Sequence, residues 1–276
     1  MSALIRASML GVDLIHPVVT ISQESGHADR PLHRMRLSCA PLLTSRPINP
    51  KQQENTMDAI ECITNRRSIR AFKNEPLPQE LLKEIIATAC WSPSYKNSQP
   101  WEVMVVSGAK KEGLSQMMVE RLESGAAACP DLAAPQSWPE AEQARIDHLM
   151  AKRKELTGMD LNDPTIIAQA KTANFHFYGA PHGIYLFQES SLSQWSLFDL
   201  GLFTQSLMLA AHAKGVGTVP QAFATDYAQD VKKYLGISSD KRLVLGLSVG
   251  YPDREVPANS YRTERSPVEE MAAFVE

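Results

Sequence analysis

The 276-residue chain has no apolar run approaching the roughly 20 residues that a membrane-spanning helix needs, so no spanning helix is expected. It has no excess of positive charge either. With 28 Lys and Arg against 31 Asp and Glu, it offers no electrostatic footprint for a nucleic acid polyanion. Only four cysteines occur (Cys39, Cys62, Cys90, Cys129), far apart and without a CxxC pair, which argues against a zinc site or a disulfide framework and fits reduced thiols in the cytoplasm. The seven histidines supply neither an HExxH motif nor a pair at i, i+4, so no metal centre is expected. Internal repeats are absent as well. What is present, 43% apolar and 21% charged residues, is the composition of a globular protein with a substantial core.

Residues 1–56 differ from the rest. They mix Arg6, Arg30, Arg34, Arg36 and Arg46 with Pro, Ser and Thr and keep no helical or alternating period. Asp13 and His16 interrupt their apolar stretch and no cleavage pattern follows, against a secretory signal, while Asp13, Glu24 and Asp29 count against a transit peptide. A poorly ordered extension is expected there, with residues 57–276 as the folded domain. Asn55-Thr56 is placed to cap a first helix carrying Ile60 and Ile63 on one face. From Pro78 to Trp91, the spacing of Leu81, Leu82, Ile85, Ile86 and Ala89 predicts an amphipathic helix with proline in its first turn. Trp101 to Val106 reads as a buried strand ended by Ser107-Gly108, and 183–187 and 242–249 as two more. Residues 109–170 are helical in character, broken by Pro130, Pro135, Pro139 and Pro164. Between Trp195 and Lys214 the chain is apolar on nearly every side, and Gly215 is placed to end it. Such a helix must be buried all round, so it is expected to be central and shared with a second subunit. Helices between and around a few strands predict an α+β sandwich of mixed topology, a central sheet flanked by helices.

Four clusters stand out. Arg66-Arg67-Ser68-Ile69-Arg70 sets three guanidiniums and a hydroxyl within five residues, a donor set suited to phosphate or an anionic ring edge, although a solvated surface run has the same composition. Residues 92–101 crowd Ser, Asn and Gln between Pro93 and Pro100, as a rigid polar lip would. Gly215-Val216-Gly217-Thr218-Val219-Pro220-Gln221 follows a helix and lacks a third glycine, so a dinucleotide fold is rejected. In the segment from Asn259 to Arg265, Arg262 and Arg265 could complete an anion site begun by Arg66 and Ser68.

In this order and spacing the clusters resemble the FMN-dependent nitroreductase family from Met57 to Glu276. The landmarks are Arg66 to Phe72; Ser92-Pro93-Ser94 with Asn97, Gln99, Pro100 and Trp101; Trp195 with Asp199-Leu200-Gly201 and Gln205; Gly215 to Gln221; Gly250-Tyr251-Pro252-Asp253; and Asn259 with Arg262, Arg265 and Pro267. The later blocks look most like the nitrobenzoate and nitroarene reductases. The resemblance implies a nitroreductase-like fold, an obligate homodimer with two interface sites, and FMN as cofactor. It further implies that Arg66, Arg67, Ser68 and Arg70 meet the FMN phosphate, ribityl chain and N1/O2 edge. Ser94, Tyr95, Asn97 and Gln99 would reach the flavin of the partner subunit, Pro220 and Gln221 would line the N5 edge through backbone groups, and Arg262 and Arg265 would close over the phosphate. Many relatives carry Cys where this chain has Val219, and little effect is expected if the contacts there are backbone ones.

With FMN bound, the flavin carries the redox chemistry and no side chain is asked to be a nucleophile or a metal ligand. NADPH or NADH would reduce it, then leave so that a small aromatic acceptor takes the same space in a ping-pong cycle. Arg70 near N1 would favour two-electron transfer, taking a nitro group to hydroxylamine. His176 and Asp199 read better as structural residues, and 109–170 as a lid setting substrate preference. The alternatives on the same scaffold are quinone or enone reduction, dehalogenation, or fragmentation of the flavin itself; from another class, a non-enzymatic anion- or nucleotide-binding module.

Overall fold

The computed structural model describes residues 57–160 and 162–276, together with the backbone of Val18–Ile21 (β1) and Met35–Arg36 (β2). Apart from those two strands, the extension expected for residues 1–56 and the Asn55-Thr56 cap lie outside the described residues. The remaining strands are β3 (Glu102–Ser107), β4 (His182–Glu189), β5 (Gly217–Gln221) and β6 (Lys241–Gly250), in one sheet of order β2-β1-β3-β4-β6-β5. β1 runs parallel to β3, and the pairs β3/β4, β4/β6 and β5/β6 are antiparallel. The helices are α1 (Ala59–Asn65), α2 (Gln79–Ala89), α3 (Gly108–Glu123), α4 (Glu140–Thr157), α5 (Pro164–Phe175), α6 (Gln194–Ala213) and α7 (Ala228–Leu235).

Period-two alternation makes two cores. On one face Val103, Val105, Ile184, Leu186, Leu247 and Val249 pack against α2 and α6; on the other Met104, Val106, Tyr185, Phe187 and Leu243 pack against α3, α5 and α7. Strands covered on both sides read as uninterrupted apolar runs, which is why β3, β4 and β6 were visible in the sequence. β5 is an edge strand, the position where Pro220, without an N–H, is tolerated.

Several expectations are corrected at the helix ends. The cap of α1 is Asp58, whose Oδ1 accepts from Glu61 N at 2.9 Å, and Ile60 and Ile63 are 75% and 55% exposed while Cys62 is buried. Pro78 sits at the N-cap of α2, one residue outside the first turn. β3 ends at Ser107, in line with expectation, and Gly108 at φ 53° begins α3. As expected, Gly215 ends α6 at φ 73°. α6 is not buried all round within this chain: Leu200, Phe203, Leu207 and Ala211 are covered, whereas Trp195 and Phe198 are 65% and 60% exposed. No described helix is long and apolar enough to cross a membrane.

The start of α2 is fixed to the sheet by buried His182, whose Nε2 accepts from Leu77 N at 2.9 Å. That bond puts the ring proton on Nδ1, which has no partner. Burial, then the charge of Lys111, push the imidazole down to about 4, so the ring is neutral at pH 7.

Candidate functional site

The 66–70 block is stitched to β5 and to the C-terminal segment. Ser68 bridges Thr218, and Ile69 N donates to Thr218 O at 3.0 Å. Gly217 is needed for this approach, since a Cβ there would come within 2.9 Å of Ile69 Cγ1. Buried Asn259 clamps the C-terminal segment to this block: its Oδ1 accepts from Arg70 N at 2.7 Å, and its Nδ2 donates to Ala71 O at 2.8 Å and to Asp253 O at 2.7 Å. Arg67 Nη1 donates to Ser260 O at 3.3 Å, and Arg262 Nη2 to Thr64 O at 2.6 Å. Arg265 Nη1 is held locally by Thr263 Oγ1 at 2.6 Å and by Glu264 O at 2.8 Å. Arg66, Arg67, Ser68, Arg70, Pro220, Gln221, Arg262 and Arg265 therefore belong to one seam.

The electrostatics of the seam are those of an anion site. Burial and the charge of Arg265 lower the pKa of Arg66, and burial followed by Arg66, Arg254 and Arg67 lowers that of His212 at the end of α6. Arg66 Nη1 and His212 Nε2 are both buried without a hydrogen-bond partner. Among the described residues no carboxylate pairs with Arg66, Arg67, Arg70, Arg262 or Arg265. A buried guanidinium donor crowded by like charge is satisfied by a multiply charged oxyanion, and a phosphate fits it. Gln221 turns its side chain inward, with Ser248 Oγ donating to Oε1 at 2.6 Å and Nε2 donating to Asn174 O at 2.8 Å, so any ligand contact it makes is through its backbone. Val219 is likewise buried.

The polar lip lies elsewhere. Tyr95 N donates to both oxygens of buried Asp199, at 3.2 and 3.1 Å, and Gln99 N donates to Ser94 Oγ at 3.0 Å. Lys96, Asn97 and Gln99 are held at positive φ (53°, 57°, 47°), backbone strain of the kind that persists where neighbours over-determine it. Tyr95 stacks on Trp195 at 6.3 Å, which meets Phe198 edge-on at 6.3 Å. Asp199 anchors the lip near the start of α6, and His212 touches the seam near its end, about 20 Å along the axis at helical rise. One chain does not bring Ser94, Tyr95, Asn97 and Gln99 to the basic seam.

The roles of Asn259, His212 and Arg153 escaped the sequence reading of the site, whereas Tyr178 lies, with Phe175 and His176, in a segment the sequence marks as able to cover the flavin. Asn259 stood there only as a landmark, and His212 carried no signal. Tyr178 follows Phe177 and precedes Gly179 in three successive left-handed residues (φ 53°, 52°, 77°); the Phe177 ring is seated against Gly183, where a Cβ would lie 2.4 Å from Cε1. Tyr178 OH accepts from Asn174 Nδ2 at 2.9 Å. Arg153, on the sheltered stripe of α4 with Ile146, Leu149 and Met150, has its pKa lowered by burial and by the charge of Arg70, with Tyr178 and Tyr261 opposing. The break in an otherwise apolar stripe was its only sequence signal. His176 Nδ1 bonds Ser115 Oγ at 2.8 Å, a structural contact. Among the described residues no His, Cys, Asp and Glu group could hold a metal ion.

Comparison with known proteins gives the family of the chain. The model of the nitroreductase family matches residues 63–251. The chain is 31% identical over 220 residues to a 4-nitrobenzoate reductase of Pseudomonas putida, covering 80% of this chain and 96% of that one. It is 28% identical over 217 residues to a nitrobenzene nitroreductase of Ectopseudomonas oleovorans, covering 78% and 96%. The crystal structure of the FMN-dependent nitroreductase NfnB from Mycobacterium smegmatis in complex with NADPH superimposes with a TM-score of 0.75 at 30% identity, over 79% of this chain and 98% of that one.

Proposed function

This chain belongs to the nitroreductase family, and from that premise we propose that it is an FMN-dependent, NAD(P)H-consuming enzyme that reduces small nitroaromatic compounds to hydroxylamines. The observation that carries the reading is the seam itself, where Arg66 Nη1 stands buried and unpartnered beside guanidiniums that pair with no carboxylate among the described residues. When bound, FMN would supply the redox chemistry, two electrons per nicotinamide oxidised, so that two turnovers would take a nitro group through nitroso to hydroxylamine in a space that donor and acceptor share in turn.

Residues 57–276 form the FMN-binding unit. Arg66, Arg67, Arg262 and Arg265 neutralise the phosphate, Ser68 meets the ribityl chain, and Arg70, its backbone fixed by Asn259, faces the N1/O2 edge. Pro220 and Gln221 border the N5 edge through their backbone. Ser94, Tyr95, Asn97 and Gln99 come from a second copy, since their own chain holds them at the far end of α6.

A homodimer is supported by the outer side of α6, where Trp195, Phe198, Gly201 and Gln205 are exposed. An exposed glycine inside a helix costs about 1 kcal/mol relative to alanine. Nothing within the chain offsets this at Gly201, because a Cβ there would meet no atom within 4 Å. Close approach of a second helix accounts for it. The free thiols of Cys62 and Cys129 suit a reducing cytoplasm.

The test is anaerobic. The purified yellow protein is reduced with NADH or NADPH and reoxidised with nitroarenes, quinones and enones, with products identified by mass spectrometry. Hydroxylamine formation, with parallel double-reciprocal lines, supports the proposal. Colourless protein that cannot take up FMN overturns it, and turnover of quinones or enones alone reassigns the acceptor.

A further inference from the structure

A hydrogen-bond chain runs inside the molecule from β6 through β5 to the end of α5. Ser248 Oγ donates to Gln221 Oε1 at 2.6 Å, Gln221 Nε2 donates to Asn174 O at 2.8 Å, and Asn174 Nδ2 donates to the Tyr178 hydroxyl oxygen at 2.9 Å. Ser248, Gln221 and Asn174 are buried, whereas Tyr178 is half-buried. Backbone carbonyls, which can only accept, fix the direction of both amides. Asn174 O takes the Gln221 amide, and Ala170 O takes the other Nδ2 proton of Asn174 at 2.7 Å. Tyr178 therefore accepts from Asn174, and its own proton is left to donate away from the chain, with no acceptor among the described residues. The turn that carries it is held from the other side as well. Phe177 and Tyr178 both sit at positive φ (53° and 52°), strain that persists because the Phe177 ring is seated against Gly183 and buried Lys111 Nζ donates to Ala180 O at 2.7 Å.

Gln221, the middle link, ends β5, whose backbone borders the N5 edge in the proposed function, and the inference rests on that reading. An acceptor has to bring its reacting group to that edge. We infer that the Tyr178 hydroxyl is a catalytic hydrogen-bond donor to the acceptor oxygen on which charge develops, a nitro oxygen in the proposed function, and that Asn174 and Gln221 are the positioning residues that aim it. A donor oriented in advance stabilises that growing charge without reorganising. Each link of the chain polarises the next, so a phenol that accepts from Asn174 donates more strongly. The contact is a hydrogen bond, and the proton stays on the phenol.

The test uses the FMN-loaded protein and follows the two half-reactions separately by stopped-flow absorbance. Tyr178→Phe, which keeps the ring and leaves Asn174 bonded to Ala170, should slow reoxidation by a nitroarene roughly a hundredfold. Reduction by NADPH and FMN affinity should not move. Asn174→Asp replaces the donating amide by an acceptor and draws the phenol proton inward. It should slow reoxidation to a similar extent and add nothing in the Tyr178→Phe background. Acetophenone, bound to the oxidised enzyme as a non-reducible probe, should show a lower carbonyl stretching frequency in the wild type than in Tyr178→Phe. Unchanged reoxidation or an unchanged carbonyl stretch overturns the inference. So does an equal slowing of reduction, which assigns Tyr178 to the nicotinamide, or loss of FMN, which assigns it to the cofactor. If reoxidation by quinones falls through Tyr178 while nitroarenes are not reduced, the donor stands and the proposed reaction fails.

Discussion

α2 and α6 lie side by side on one face of the sheet, yet their outer surfaces are built differently. α2 turns Leu82, Ile85, Ile86 and Ala89 inward and gives Glu84, Ala87 and Thr88 to water, where Glu84 receives Lys214 Nζ at 2.6 Å. Its entry is secured within the chain by the bond from Leu77 N to His182. α6 buries an equally good stripe but offers Trp195, Phe198 and Gly201 on the opposite side. One helix is complete in its own chain. The other is patterned for two neighbours, and the second must come from outside.

The strongest way to break this contrast is a matched pair of substitutions. Gly201→Leu has room in the isolated chain, so its cost should fall on the dimer: about 3 kcal/mol of overpacking, read as a monomer by sedimentation and roughly a hundredfold weaker FMN binding. Ala87→Leu on α2 should change neither. A Gly201→Leu protein that stays dimeric and yellow would end the argument.

The anchor of α2 is tested by acid. His182 titrates near 4 in the fold against about 6.5 when unfolded, so the unfolded chain takes up the proton first as pH falls. Its contribution is fully present above pH 6.5 and is lost between about 6.5 and 4, roughly 3 kcal/mol in all. Denaturant titrations at several pH values should show this slope, and His182→Gln should flatten it.

At the seam end of α6, Arg66→Ala should weaken FMN retention by about 1.5–3 kcal/mol while leaving the dimer intact. Equilibrium dialysis with FMN checks it, and unchanged affinity would remove Arg66 from the site. At the lip end, Asp199→Asn keeps one acceptor for Tyr95 N and loses the charge, for about 1 kcal/mol of stability in a thermal melt.

Elements buried on two sides or along one clear stripe were legible in the sequence: α2, β3, β4, α6 and β6 begin and end within a few residues of expectation. β5 was hidden because Gly217 and Pro220 read as breakers. Only its place at the sheet edge and the close pass of Ile69 explain them. Gly108 marked the end of β3 as expected, and at positive φ it also opens α3. For the site, the arginine blocks were plain and their meeting was expected, but the clamp behind it was not, because it depends on Asn259 binding chain almost 190 residues away. Arg153 was out of reach for the same reason: Arg70 and Tyr261, whose charges act on it, are distant from it in sequence.

The length of α6 has a consequence for handling the protein. If each flavin needs the seam of one copy and the lip of another, pigment retention obeys mass action between copies. Serial dilution below the subunit dissociation constant should then bleach the solution, and absorbance per chain becomes a gauge of assembly.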